Sequence, residues 1–218
     1  MSLAELNKTA RAMVADGKGI LAADESTSTI KKRFDAIGTE STEATRRAYR
    51  DLLFTTPGME KFISGVIMYD ETIRQSTAAG VPFPQYLAKL GVIPGIKVDA
   101  GAKPLAGHSG EKVTEGLDGL RDRFKEYASL GARFAKWRAV ITIGDGIPSR
   151  ACVSANAHAL ARYAALAQEA GIVPIVEPEV LMDGDHDIER CEEVTGQTLA
   201  QVFKQLRVQG VALEGMLL

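Results

Sequence analysis

The sequence predicts an α/β chain that folds as a (β/α)8 TIM barrel, of which its 218 residues cover about the first six strands. Three observations predict it. Short apolar runs alternate with longer segments of helical periodicity, nearly every run carries a charged residue late in its length, and the turn after the first run reads DESTST instead of a glycine-rich phosphate loop. Strands alternating with helices imply a parallel sheet, either open and doubly wound or closed into a barrel. A doubly wound sheet concentrates its ligand site at one switch point, whereas a barrel brings the carboxyl ends of all its strands to one mouth. Charges spread over five strands favour the barrel.

The elements follow in order. An opening helix is expected near residues 2–15, where apolar residues recur at helical spacing. Strands are expected at Gly19 to Asp24 (GILAAD), Gly65 to Asp70 (GVIMYD), Gly95 to Asp99 (GIKVD), Ala132 to Val140 (ARFAKWRAV), Gly171 to Val180 (GIVPIVEPEV) and Val211 to Leu218 (VALEGMLL). Helices are expected near 41–54, 116–130, 149–170 and 187–208, with a shorter one near 84–90. Thr42 to Thr45 and Pro148 to Ser149 suit helix starts, and Gly131 and Gly171 sit where a helix ends before a strand. Leu105 to Leu120 reads as a long loop after the third strand, of the kind that covers a barrel site. No Ser- or Pro-rich linker or repeat divides the chain, so residues 1–218 are expected to form a single barrel domain, incomplete at its C-terminal end.

Composition excludes several functions. Acidic and basic residues are interspersed and sum to a net charge of −2, which favours neither nucleic acid nor an acidic tail. No run approaches the roughly 20 apolar residues that cross a bilayer, and the N-terminus lacks the apolar centre of a signal peptide. A cytoplasmic protein with no membrane partner is expected, its Cys152 and Cys191 reduced. No metal site is expected: the run DGDHD at Asp183 to Asp187 precedes a predicted helix, where acidic residues serve capping and the helix dipole. His108 and His158 carry no surrounding motif and read as surface or packing residues.

The strand ends carry the candidate chemistry: Asp24, Asp70, Lys97 with Asp99, Lys136 with Arg138, and Glu177 with Glu179. Side chains two apart on a strand share a face, so Lys136 and Arg138 point together while Trp137 points away, and Glu177 and Glu179 flank Pro178 in the same manner. Buried charges persist only when paired or hydrogen-bonded. Two cations on one strand and two carboxylates on the next are therefore expected to neutralise each other at the barrel mouth. Lys97, Lys136 and Arg138, with Arg33, Ser26 and Thr29, suit a phosphorylated small molecule through charge-assisted hydrogen bonds. Ser26 and Thr29 serve equally well as turn and helix-capping residues.

Taken together, GKGILAADEST at Gly17 to Thr27, VPFPQ at Val81 to Gln85, GIKVD, FAKWR at Phe134 to Arg138, and VPIVEPEVLMDGDHD at Val173 to Asp187 carry a family resemblance. The chain resembles the class I, Schiff-base-forming fructose-bisphosphate aldolases of glycolysis, from about residue 5 to its last residue. The resemblance implies a cytoplasmic homotetramer that needs no metal or other cofactor. It reversibly cleaves fructose 1,6-bisphosphate to dihydroxyacetone phosphate and glyceraldehyde 3-phosphate through a lysine imine. The resemblance also implies residue roles. Asp24 would assist at the C4 hydroxyl, Lys136 would stabilise the carbinolamine, and Glu177 would act as general acid/base with Glu179 adjusting its neighbours. Lys97, Arg138, Arg33 and Ser26 would contact phosphate or the sugar chain.

Two departures stand out. Ser28 and Thr29 occupy positions where many relatives have glycine and serine. The family's E-G-x-L-L-K-P signature is represented by LEGMLL at Leu213 to Leu218, so the Schiff-base lysine would be the next residue. A barrel of six strands also leaves two edges unpaired, and a longer polypeptide is therefore expected. The alternative functions are a catalytically inactive phosphosugar-binding or interaction fragment and, more distantly, another phosphate-binding barrel lyase or isomerase.

Overall fold

A computed structural model describes residues 2–218. Helix α1 (Leu3–Met13) opens the chain, with Ser2 and Glu5 forming a capping box at its start. Strand β1 (Gly19–Ala23) leads through Ser26 into α2 (Thr27–Asp35), followed by α3 (Glu43–Phe54), which Thr42 caps. Strand β2 (Ile63–Met68), the single helical turn α4 (Asp70–Ile73), α5 (Phe83–Lys89) and β3 (Ile93–Lys97) come next. A hairpin of β4 (Ala102–Pro104) and β5 (Lys112–Thr114) precedes α6 (Leu120–Leu130), which Gly131 ends at φ 108°. The chain continues through β6 (Phe134–Ile141), α7 (Arg150–Glu169), β7 (Val173–Val180) and α8 (Ile188–Val208).

The five long strands pair in parallel in the order β1-β2-β3-β6-β7. Each long strand lies beside its predecessor, as in a barrel; a doubly wound sheet reverses its order at a switch point. Strand alternation divides the side chains between two cores. Val66, Met68, Ile96, Trp137 and Val176 face the helices and pack with Phe124, Leu160, Tyr163 and Leu206. Ile67, Phe134 and Val173 face the interior, where Leu6, Ala10 and Met13 of α1 cover them. The interior is thus closed by apolar side chains around α1, and the same inward parity continues along the strands to Lys97, Lys136, Arg138, Glu177 and Glu179.

Gly65 and Gly95 make room for the Phe134 ring: a Cβ on Gly95 would overlap three of its ring atoms. Gly95→Ala is expected to destabilise the protein by about 1–3 kcal/mol through overpacking, measured by urea unfolding. Strand β3 is clamped between β2 and β6, so the backbone has little freedom to retreat.

Three expectations are corrected. Val211 to Leu218 is not a sixth strand: it holds one 3-10 turn, Leu213–Gly215, and joins the sheet only through an isolated parallel bridge between Ile175 and Leu217. Side chains have taken the backbone groups a ladder needs there. Gln168 Nε2 donates to the carbonyls of Ala212 and Gly215, Gln168 Oε1 accepts from the Ala212 N–H, and Asn7 donates to the Glu214 carbonyl. Within the loop expected at Leu105 to Leu120, residues 112–114 form β5 and pair with β4. Asp70 is the first residue of α4 and not a strand end; it accepts from the Tyr127 hydroxyl at 2.8 Å and from Arg74 at 2.9 Å. Helix α2 also lies where no helix was expected, its apolar residues limited to Ile30 and Phe34 on one face.

Candidate active site

The carboxyl ends of β1, β3, β6 and β7 converge. Lys136 Nζ lies 3.3 Å from Asp24 Oδ2 and 3.4 Å from Glu177 Oε2. Asp24 follows β1 and Lys136 lies on β6, three strand spacings apart, or roughly 14 Å along a flat sheet. Their contact marks a sheet curled toward closure. Arg138 forms a hydrogen-bonded ion pair with Glu179 and lies 4.0 Å from Glu177, and Lys97 Nζ is 3.7 Å from Asp99 Oδ1. Register explains the arrangement, since Lys97 pairs with Lys136 and Arg138 with Glu177 across neighbouring strands.

Asp24, Ser26, Thr29, Arg33, Lys97, Lys136 and Arg138 line a cavity of about 270 Å³; Glu177 and Glu179 join the cluster through their ion pairs with Lys136 and Arg138. A larger open cavity of about 1060 Å³ lies between the β4–β5 hairpin and helices α6 and α7, but contains neither Asp24, Lys136 nor Glu177. Size therefore does not locate the chemistry. Ser26 caps α2 through the Thr29 N–H, and its hydroxyl also contacts those of Ser28 and Thr29 at 3.1 and 3.0 Å. Capping and cavity lining are thus compatible. Arg33, on α2, is paired with Glu25. In the DGDHD run, Asp187 caps α8 by accepting from the Arg190 N–H at 2.8 Å.

The electrostatics separate the roles of Lys136 and Glu177. Burial by itself would lower the Lys136 amine, but Asp24 and then Glu177 outweigh it and hold the ammonium above its ordinary value. Lys136 is therefore a resident cation at neutral pH and unsuited to attack a carbonyl. Burial dominates at Glu177 and raises its carboxyl despite the opposing pull of Lys136 and Arg138. A carboxyl moved toward neutrality, touching a fixed ammonium, is suited to taking and returning a proton.

Three contributors were not assigned a role from sequence. Asp99 accepts from the Arg138 N–H at 3.3 Å and the Gly101 N–H at 3.1 Å, fixing the base of the hairpin against β6. Glu25 follows Asp24 and holds Arg33, and Arg50 of α3 reaches both carbonyls that flank Asp24. The sequence did contain a signal for Arg50: it lies one helical turn before buried Phe54, on the apolar face of its helix.

Fold and site together define a (β/α) barrel that brings cations and carboxylates together at its strand ends. The family model for fructose-bisphosphate aldolase class-I matches residues 5–218. A probable fructose-bisphosphate aldolase class 1 from Xanthomonas campestris pv. campestris is 66% identical over all 218 residues, which cover 65% of that relative's length. Fructose-bisphosphate aldolase 1 of Toxoplasma gondii is 56% identical over 98% of this chain and 60% of its own. Among solved structures, fructose-bisphosphate aldolase from Plasmodium falciparum, in complex with TRAP and a small-molecule inhibitor, superposes with a TM-score of 0.96. It is 53% identical and is covered over 62% of its length by 98% of this chain. The chain belongs to the class I fructose-bisphosphate aldolase family. It spans just under two thirds of the length of the first of these curated relatives.

Proposed function

We propose that these residues form the greater part of the active site of a fructose-bisphosphate aldolase, which cleaves fructose 1,6-bisphosphate reversibly through a lysine imine. The observation that carries the proposal is the Lys136 ammonium held between Asp24 and Glu177, whose carboxyl is raised by burial. The imine lysine is placed at the residue after Leu218. Register supports that position, because Leu217 bridges Ile175 in parallel and packs in the barrel interior. The residue two beyond it would therefore face inward beside Glu177.

In this proposal the lysine amine attacks the C2 ketone. Lys136 stabilises the carbinolamine oxygen, and Glu177 donates the proton with which that oxygen leaves as water. The protonated imine then accepts the electrons of the C3–C4 bond as Asp24 assists removal of the C4 hydroxyl proton. Glu179 holds Arg138 in place, and Ser26, Arg33, Lys97 and Arg138 bind phosphate and the sugar chain. Residues 1–218 belong to one barrel domain, incomplete at its C-terminal end, in a cytoplasmic homotetramer. An Arabidopsis thaliana relative named as cytosolic is 56% identical, and no helix among the described residues is long and apolar enough to cross a membrane.

Borohydride reduction of the full-length protein in the presence of dihydroxyacetone phosphate tests the assignment. Substrate-dependent covalent labelling on one lysine is expected, with chelators having no effect. Phosphate-ester binding without labelling would instead support the inactive binding fragment.

A further inference from the structure

We infer that Arg50 is a positioning residue that sets the Asp24 carboxylate for carbon–carbon cleavage and keeps Arg33 available to substrate phosphate. The inference rests on the aldolase reading and adds a role for a side chain outside the proposed chemistry. Arg50 is 2% exposed on α3, an unusual place for a cation. Its Nε donates to the Ala23 carbonyl at 2.7 Å and one Nη to the Glu25 carbonyl at 3.1 Å, so one rigid guanidinium grips the backbone on both sides of Asp24. The same group lies 3.0 Å from the Glu25 carboxylate, which also pairs with Arg33.

The burial is costly. Arg50 Nη1 lacks a hydrogen-bond partner, and burial pulls the guanidinium below its ordinary value with Glu25 the main opposing charge. A buried pair is weak evidence of stabilisation, since apolar replacements of like volume are often at least as stable. The geometry supplies another use. Asp24 stands just beyond the last residue of β1, where the ladder no longer holds the backbone. The planar fork of Arg50 provides that restraint, and lysine, a point donor, cannot reproduce it.

Charge adds a second consequence. Glu25 is shared by a buried cation, Arg50, and a cavity cation, Arg33. While Arg50 neutralises Glu25, Arg33 can exchange that carboxylate for a phosphate. Without Arg50, Glu25 has Arg33 alone and competes with the substrate.

Four full-length variants test this. Arg50→Gln is expected to lower kcat for fructose 1,6-bisphosphate cleavage by about 10²-fold, the scale of a small misplacement at a reacting group. Its KM should rise severalfold, while borohydride trapping of dihydroxyacetone phosphate persists, since Asp24 acts after imine formation. Adding Glu25→Gln should restore KM and leave kcat low. Arg50→Lys, which keeps the charge, should lose kcat with little change in KM, and Glu25→Gln alone should not raise KM. Unchanged kcat in both Arg50 variants would overturn the inference. So would a parallel loss of cleavage, trapping and folded signal in both, which would assign Arg50 to folding alone. Failure of the wild-type protein to trap or cleave would overturn the aldolase reading itself.

Discussion

Lys136→Met is expected to reduce cleavage of fructose 1,6-bisphosphate by about 10³-fold, with most of the loss in kcat. Among the described residues, the side chain is the only cation within 4 Å of Asp24 and one of two near Glu177. Its removal leaves two carboxylates facing a barrel mouth with no ammonium between them, and their repulsion favours protonation of one. The proposed carbinolamine oxygen loses its charge partner at the same time. Stability should fall by about 2 kcal/mol, between the values typical of surface and fully buried pairs, because these side chains are partly exposed. Initial rates, borohydride trapping and thermal unfolding of the full-length variant measure the three effects. A kcat within threefold of wild type would remove Lys136 from the chemistry.

Glu177→Gln should cost about 10²–10⁴ in kcat and erase the limb of the pH–rate profile that reports this carboxyl. The variant has an unusual counterpart in stability. Burial raises Glu177 above its ordinary value even with Lys136 beside it. Between the unfolded-chain value and the folded value, the native state therefore binds more protons than the unfolded chain. Its contribution to stability is complete below the unfolded value and is lost as pH rises through the folded value. Glutamine cannot ionise, so the variant is expected to be slower yet more stable than wild type at neutral pH, with the advantage disappearing near pH 4. Melting temperatures from about pH 4 to pH 8 check the sign. A variant less stable than wild type at neutral pH would show that Lys136 outweighs burial at this position.

Much of this site was legible in local sequence because a strand projects alternate residues to one face. K-W-R places Lys136 and Arg138 inward and leaves Trp137 to stack on Tyr163 at 5.5 Å, and E-P-E does the same for Glu177 and Glu179. Thr42 and Ser149 likewise reveal helix starts, because capping depends on a side chain and an N–H three residues away. Asp70 misled as a strand end because, although it follows an apolar run, its backbone has already turned into a helix. The end of the chain misled differently. Its apolar run reads as a strand, while its carbonyls and N–H groups are claimed by Gln168 and Asn7, partners 44 and 207 residues away.

The parallel strand rhythm, the charged strand ends and the family are thus properties of short stretches, where periodicity and motif order carry the information. Which charges meet is a property of the curled sheet. Lys136 finds Asp24 across strands that the sequence separates by more than a hundred residues, and Arg50 reaches the same strand end from the third helix. Curling of the sheet and packing of that helix set those distances. Both depend on the summed burial of many apolar side chains, so no local pattern around Asp24 or Arg50 encodes them.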